Sequence, residues 1–306
     1  MEEQKMDKTS FSGLVGHTAV QLNWTEMIVL GSFYYSLALL CFLFLAYDIV
    51  NRLKPQINSP NINILFWVSM IIWLIYHGTI RVIPMNYYSQ QIYYLTNFAL
   101  DSFLFVAPIS FVMITVLEML FQYHYPGRFK KVIIRILYVI FVIIYGTLGV
   151  FITFVEVDEV GQKYDIMYLW NTCTSILLLV FIVIPAIELL RAVSYPVVQP
   201  EDVKCVKLSK LGLVLFFLIY LGEAIYNITV FWGINVCRNW IVDQLKKQGV
   251  SSPNVRAFHF GYDLIFDFVP SLIAIFSIYQ IRKHDLQFAD DPFYAPDQSE
   301  SSTSHI

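Results

Sequence analysis

Charged residues are scarce in this chain, and the scarcity argues against a soluble protein. Asp, Glu, Lys and Arg make up 14% of its 306 residues, while hydrophobic residues make up 57%. Soluble domains average about 25% charged residues. The net charge is −3, and the basic residues are spread over short segments, which excludes the concentrated basic patch of a nucleic-acid-binding protein. The composition predicts a polytopic membrane protein.

Two targeting signals and a cysteine framework are also missing. Residues 1–25 hold no apolar run, and Glu2 occupies the position where myristoylation needs glycine, so we expect the first hydrophobic span to serve as its own anchor. There are four cysteines. Cys173 and Cys237 fall near the same predicted outer surface, where a disulfide is one interpretation and two free, buried thiols are the favoured one.

Seven apolar windows are each long enough to cross about 30 Å of hydrocarbon as a helix. They cover residues 26–50, 63–83, 92–122, 132–155, 166–190, 208–236 and 256–281. Lys and Arg are more frequent on the side that holds the C-terminus, which predicts an outside or lumenal N-terminus and a cytosolic C-terminus. We therefore predict an all-α, seven-transmembrane-helix bundle over 26–284. A short polar tail, 1–25, precedes it, and a disordered polar tail, 285–306, follows it.

The last window carries a polar stripe. His259, Asp263, Asp267 and Ser271 recur at four-residue spacing and so share one side of a helix. A carboxylate in the middle of the hydrocarbon costs about 2.5–3.5 kcal/mol on insertion scales, so such groups usually face the interior of a bundle. The stripe is predicted to point inward.

Other predicted spans add ionisable or polar groups at similar depth, and together they form a candidate polar cavity in the outer half of the bundle. Its members are His77, Arg81, Asp101, Glu223, Asn227, His259, Asp263 and Asp267. In the favoured interpretation Arg81 pairs with Asp101 or Asp263 and the network fixes helix packing. In the other, the carboxylates line a watery cavity for a cation, an amine or protons.

Three prolines, Pro108, Pro185 and Pro270, lie inside predicted spans, where each removes a backbone hydrogen bond and predicts a kink. Pro270 frees the carbonyl of Phe266, next to Asp267. A hinge or a binding notch fits this coincidence, and so does a static kink filled by Ser271.

The predicted cytosolic face has a basic surface, suited to anionic lipid headgroups or to an acidic protein partner. Its members are Arg128, Lys130, Lys131, Lys204, Lys207 and Lys210. Lipid and topology signals are the default explanation, and a partner surface is the alternative.

Several seven-helix classes make chemical demands that this sequence does not meet. Retinal proteins need a lysine in the last helix, and none lies between Arg256 and Arg282. Zinc-dependent hydrolases need several histidines within the membrane, whereas only His77 and His259 qualify. The Gly-x-Gly-Asp turn of intramembrane aspartyl proteases and the arginine triplet of rhodopsin-type receptors are absent. The sequence thus predicts a protein without enzymatic activity, cofactor or metal.

One family is suggested by the last span. Residues 267–271, Asp-Phe-Val-Pro-Ser, followed by a basic pair at 282–283, resemble the last helix of the tobamovirus multiplication protein family. Gly78 and Arg81 resemble the end of that family's second helix, and Asp101 and Glu118 resemble acidic residues bracketing its third. Asp267 stands where the family pattern has Glu, and the family's cytosolic basic motifs are missing.

The resemblance implies a non-enzymatic seven-helix protein of endomembranes. Plant members resemble vacuolar-membrane scaffolds that associate with small GTPases of the ADP-ribosylation-factor-like class, and animal relatives resemble lysosomal orphan receptors. The resulting hypothesis is a receptor-like or scaffold protein of a vacuolar, lysosomal or other endomembrane, or of the plasma membrane. Its expected partners are the bilayer, anionic lipids and a cytosolic protein such as a small GTPase, and its ligand is unknown. The alternative is a cation- or proton-coupled transporter that uses the carboxylates.

Overall fold

The computed structural model describes the long helices of the chain and short pieces between them. The described residues are 24–52, 62–82, 95–124, 128–154, 169–170, 172–177, 179–180, 202–231, 240, 244 and 253–289. Within these ranges every element is helical and none is a strand. The all-α class predicted from the composition is confirmed for this part of the chain.

Seven α-helices and two π-helical segments have described bounds, and residues 169–170, 172–177 and 179–180 are also α-helical. The elements with described bounds are α1 (Trp24–Arg52), α2 (Ile62–Val82), π1 (Leu95–Leu100), α3 (Asp101–His124), α4 (Arg128–Phe154), α5 (Asp202–Phe231), α6 (Pro253–Asp263), π2 (Leu264–Phe268) and α7 (Val269–Ala289). The elements α6, π2 and α7 follow one another without a break and together cover the predicted seventh window. Helix α5 covers most of the predicted sixth.

Four helical stretches are long and apolar enough to cross a membrane, judged by length and composition. They are Trp24–Val50, Ile64–Val82, Arg135–Phe154 and Arg256–Tyr279. Shorter apolar stretches occur at Asp101–Val112 and Val214–Thr229. These helices are consistent with a membrane protein, because α-helices satisfy their own backbone hydrogen bonds in lipid.

Helices α1 and α2 form the most extensive helix pair, and they approach closely through glycine. A Cβ at Gly78 would lie 3.2 Å from Tyr34 Cβ, and one at Gly31 would lie 3.4 Å from the Gly78 carbonyl oxygen. Small residues at a contact let two helix backbones come together, as in membrane helix pairs. The close approach brings α1 alongside the end of α2 that carries His77.

The core is a layer of large side chains between α1, α2, α3, α5 and α7. Its largest fully buried members are Trp67, Trp73, Tyr34, Tyr220, Phe66 and Phe216. Helix α4 has a different character, since apolar residues such as Ile143 and Phe151 are 61% and 66% exposed. Large apolar side chains facing outward along a whole helix are typical of a lipid-facing surface.

The contacts also fix which helix ends lie together. Asp48, near the end of α1, accepts a hydrogen bond of 2.7 Å from Trp67 Nε1, near the start of α2. Helices α3 and α4 run antiparallel, because Ser110 contacts Tyr138 and Phe103 faces Gly146. Helix α5 runs antiparallel to the last helix, because Gly212 faces Ser277 and Gly222 faces Phe266. The starts of α2, α4 and α5 therefore share one end of the bundle with the ends of α1, α3 and α7. We call this the basic end.

Two sequence expectations, the start of the C-terminal tail and the state of the cysteines, can be compared with the structure. Helix α7 reaches Ala289, whereas the predicted C-terminal tail begins at residue 285. No Gly or Pro interrupts residues 284–289, so local propensity permits the helix to continue to that point. Cys41 is free and buried and Cys173 is free and exposed. Cys237, residues 1–23 and residues 290–306 lie outside the described residues.

Candidate functional site: an ion network around Arg81

The site begins with two side chains on α2. His77 and Arg81 are four residues apart and therefore lie on the same face of the helix. Arg81 Nε donates a hydrogen bond of 3.3 Å to His77 Nε2, and His77 Nδ1 lies 2.8 and 3.0 Å from the two carboxylate oxygens of Asp101 on α3. Because Nε2 accepts from Arg81, the ring of neutral His77 carries its hydrogen on Nδ1 and donates it to Asp101.

The guanidinium of Arg81 reaches the last helix. Arg81 Nη2 lies 3.1 Å from Asp263 Oδ1 and 3.8 Å from Asp267 Oδ2, and Asp267 Oδ2 is also 3.8 Å from His77 Nε2. Arg81 is 16% exposed and Asp263 5%. Arg81 therefore contacts two carboxyl groups that are one helical turn apart on the last helix.

Tyr34 of α1 packs against these charged residues. Its hydroxyl donates a hydrogen bond of 3.3 Å to the backbone carbonyl of Asp263, and its ring lies edge-on to the His77 ring at 4.5 Å. Tyr34 is fully buried. The site thus joins α1, α2, α3 and the last helix, and we call His77, Arg81, Asp101, Asp263 and Asp267 the Arg81 network.

Both helices that supply carboxylates are π-helical beside them. Segment π1 ends immediately before Asp101, and π2 contains Asp267. In π2 the Val269 N–H bonds to the Leu264 carbonyl, five residues back. Single π-turns inside α-helices are often found at functional sites, and they re-aim the side chains around them.

Pro270 is the second residue after π2 and is buried. The next residue, Ser271, is fully buried, and its hydroxyl donates a hydrogen bond of 2.6 Å to the Asp267 carbonyl. The predicted coincidence of proline, serine and carboxylate in one turn is present, and Ser271 supplies a side-chain donor there. A π-turn next to a proline is a recognised cause of helix distortion.

Glu223 and Asn227 on α5 lie on a separate side of the site. Ser175 and Asn227 are the polar side chains beside Glu223, and Asp267 lies within its electrostatic range. Asn227 is 1% exposed. Among the described residues Glu223 forms no ion pair with Arg81 or His77, so it adds a further carboxyl group to the region without a cation of its own.

The remaining predicted site residues lie elsewhere on the described helices or outside the described residues. His259 belongs to α6, one turn before Asp263. Pro108 lies inside α3 and is buried, and Pro185 lies outside the described residues. The candidate basic surface occupies the first turns of α4 and α5, both at the basic end: Arg128, Lys130, Lys131, Lys204, Lys207 and Lys210.

The Arg81 network holds more acidic than basic side chains. Asp101, Asp263 and Asp267 provide three carboxyl groups, whereas Arg81 provides one permanent cation and His77 accepts a hydrogen bond from it through Nε2. Among the described residues no group of three or more His, Cys, Asp or Glu side chains is placed to hold a metal ion. The arrangement is suited to holding protons or an organic cation, and to locking helices together.

Three aromatic residues beside the network did not stand out from sequence. Tyr34, Trp73 and Tyr220 are each fully buried, but the sequence is rich in tyrosine, and aromatic residues near span ends fit an interfacial belt equally well. Tyr34 does lie on a buried stripe with Leu30, Leu37 and Cys41. That helical periodicity is the signal that identifies it as inward-facing.

The comparisons with known proteins do not name a family for this arrangement. No protein-family model matches the chain, and no curated protein or solved structure matches it either.

Proposed function

We propose that the chain is a seven-helix, receptor-like or scaffold membrane protein in which the Arg81 network sets the position of the last helix. The observation that carries this proposal is the shared guanidinium: Arg81 contacts Asp263 and Asp267 at 3.1 and 3.8 Å, on either side of the start of a π-turn. A charge contact at a distorted turn is a physical means by which one site biases the position of a helix.

The proposed orientation places the Arg81 network toward the outside or lumen and the basic end in the cytosol. The excess of Lys and Arg on the C-terminal side supports this topology, and helix directions put the first turns of α4 and α5 at the same end. There the basic surface meets anionic lipids or an acidic region of a cytosolic protein. The resemblance to the tobamovirus multiplication protein family supports a small GTPase as that partner and an endomembrane as the location.

Recruitment is tested by replacing Lys204, Lys207 and Lys210 with glutamine and measuring proximity labelling of cytosolic proteins from the C-terminus. We expect labelling of a specific partner to fall, because three charges leave the surface. The matched control replaces Lys163, Lys246 and Lys247, three lysines of the predicted outer loops, with glutamine. Equal labelling by both triple variants and the unaltered chain rejects the basic surface as a docking site.

A second candidate is a proton- or cation-coupled transporter. The observation that favours it is the surplus of carboxylates, since three Asp face one Arg in the network and Glu223 lies close to Asp267. Chains of Asp, Glu and His within a membrane are characteristic of proton relays. In proteoliposomes Asp267→Asn then abolishes coupled flux with folding intact. Absence of flux from the unaltered protein, with a lower melting temperature in the variant, leaves only the packing role.

A further inference from the structure

An aromatic layer lies one helical turn from the Arg81 network. Trp73 precedes His77 by one turn of α2, and its ring packs 5.1 Å from the His77 ring and 4.8 Å from Phe105 of α3. Phe105 in turn lies 6.3 Å from the ring of Tyr220 on α5. Trp73, Phe105 and Tyr220 therefore form a continuous wall across three helices, and we call these three residues the aromatic layer.

Two members of the aromatic layer carry polar atoms without partners. Trp73 and Tyr220 are fully buried, and within the described part of the chain neither Trp73 Nε1 nor the Tyr220 hydroxyl has a hydrogen-bond partner. Buried indole N–H and tyrosine hydroxyl groups are ordinarily paired. Each of these atoms therefore marks a position where a ligand gains a hydrogen bond.

Two acidic side chains lie beside the same atoms. Glu223 and Asp267 are the two acidic groups that act on the Tyr220 hydroxyl, and Asp267 also acts on Glu223. Asp267 shares Arg81 with Asp263, which holds the shorter contact of 3.1 Å. The two carboxyl groups, from α5 and π2, thus flank the aromatic layer.

We propose that Asp267, Glu223 and the aromatic layer form a binding site for a small organic ammonium ion that also carries a hydrogen-bond acceptor. The ammonium group meets the carboxylates and the faces of Trp73, Phe105 and Tyr220, which attract cations electrostatically. The acceptor meets Trp73 Nε1, which can only donate, and the Tyr220 hydroxyl, which can also donate. This ligand class deepens the receptor-like function proposed above and rests on it.

The polar chemistry favours an organic cation over a metal ion. The described residues offer no group of three or more His, Cys, Asp or Glu positioned for a metal, whereas hard cations such as Ca²⁺ take six to eight oxygen ligands. A bare proton would neutralise a carboxylate but would leave the indole N–H without an acceptor. An amine with a hydroxyl or carbonyl group satisfies both kinds of atom.

The test uses the purified full chain in lipid nanodiscs and four primary amines that each carry a hydroxyl or ring-nitrogen acceptor: tyramine, octopamine, 5-hydroxytryptamine and histamine. Tyrosol, in which a hydroxyl replaces the ammonium of tyramine, is the neutral control. Binding is followed by tryptophan fluorescence and by the melting temperature, because a ligand that binds the folded state raises it. We expect saturable binding of tyramine at least about tenfold tighter than of tyrosol.

Variants separate the site from general effects. Tyr220→Phe, which keeps the ring, and Asp267→Asn each weaken amine binding by about tenfold or more. Tyr35→Phe, which removes a hydroxyl that contacts Thr79 away from the site, leaves it unchanged. Failure of all four amines to bind at millimolar concentration, equal binding of tyrosol, or an unaffected Tyr220→Phe variant overturns the assignment.

Failure of the amine site and failure of the proposed recruitment give different experimental results. Lysine-dependent recruitment that persists while no amine binds removes the ligand class and leaves the receptor-like or scaffold function standing. Amine binding without lysine-dependent recruitment retains the site and overturns the proposed recruitment.

Discussion

Removing Arg81 is predicted to cost more stability than removing Asp263, although the two residues form one ion pair. The Coulomb attraction at the 3.1 Å contact is about 5 kcal/mol at an effective dielectric constant of about 20. At the 3.8 Å contact with Asp267 it is about 4 kcal/mol under the same assumption. The cost of desolvation offsets both attractions, so the stability of each variant depends on which charges keep a partner.

The asymmetry follows from the number of partners each charge retains. In Asp263→Asn, Arg81 keeps Asp267, and we expect a loss of about 1–3 kcal/mol in the free energy of unfolding. In Arg81→Gln, Asp263 and Asp267 lose their shared cation, and we expect about 3–5 kcal/mol. The double variant should be no less stable than Arg81→Gln alone, because removing Asp263 also removes a repulsive carboxylate.

The assay is unfolding of the purified variants in mixed micelles by titration with SDS, followed by tryptophan fluorescence. Glu26→Gln is the control, since Glu26 and Arg256 pair at 3.3 Å but Glu26 is 35% exposed, and exposed pairs contribute about 0–1 kcal/mol. A larger loss for Asp263→Asn than for Arg81→Gln refutes the reasoning. So does strict additivity in the double variant, because neighbours in one network are expected to couple.

Two further predictions concern single hydrogen bonds. Trp67→Phe removes the 2.7 Å donor of the buried Asp48 and should lower the free energy of unfolding by about 1–3 kcal/mol; Trp24→Phe, at a position 59% exposed, should change it by less than about 0.5 kcal/mol in the same titration. Ser271→Ala removes the 2.6 Å bond to the Asp267 carbonyl and should cost about 1 kcal/mol. An unchanged melting curve for Ser271→Ala would mean that the kink at Pro270 does not depend on that bond.

Sequence reasoning located the helices well because their signal is local. Apolar windows reveal a helix long enough for a bilayer without reference to any neighbour. The helices with described bounds overlap six of the seven predicted windows, and four helical stretches are long and apolar enough to cross a membrane. The polar stripe of the last helix could be predicted for the same reason, since four-residue spacing alone puts Asp263 and Asp267 on one face.

The sequence predicted the ion pairs of the Arg81 network only in part. The sequence offered Arg81 either Asp101 or Asp263, and the structure joins Arg81 to Asp263 and gives Asp101 to His77. His77 and Arg81 share a face, so the choice depends on the relative heights of α2 and α3. Sequence spacing within one helix contains no information on that height.

The two π-helical segments could not be predicted from the sequence, for a related reason. A hydrophobic period distinguishes a helix from a strand, but π1 and π2 differ from an α-helix by a change in backbone hydrogen bonding within one turn. Tyr34 and Trp73 were missed because their importance comes from contacts across helices. Such contacts are a property of packing and not of the local pattern.

The single arginine of α2 also bears on how the last helix is kept in register. Asp263 and Asp267 are one turn apart, so sliding that helix by about 5.4 Å would present Arg81 with a carboxylate again. The charge contact alone therefore does not fix the axial position of the helix. That position is specified by the packing of Phe44 against Tyr279, because Ile275 and Lys283, one turn to either side, offer no aromatic ring.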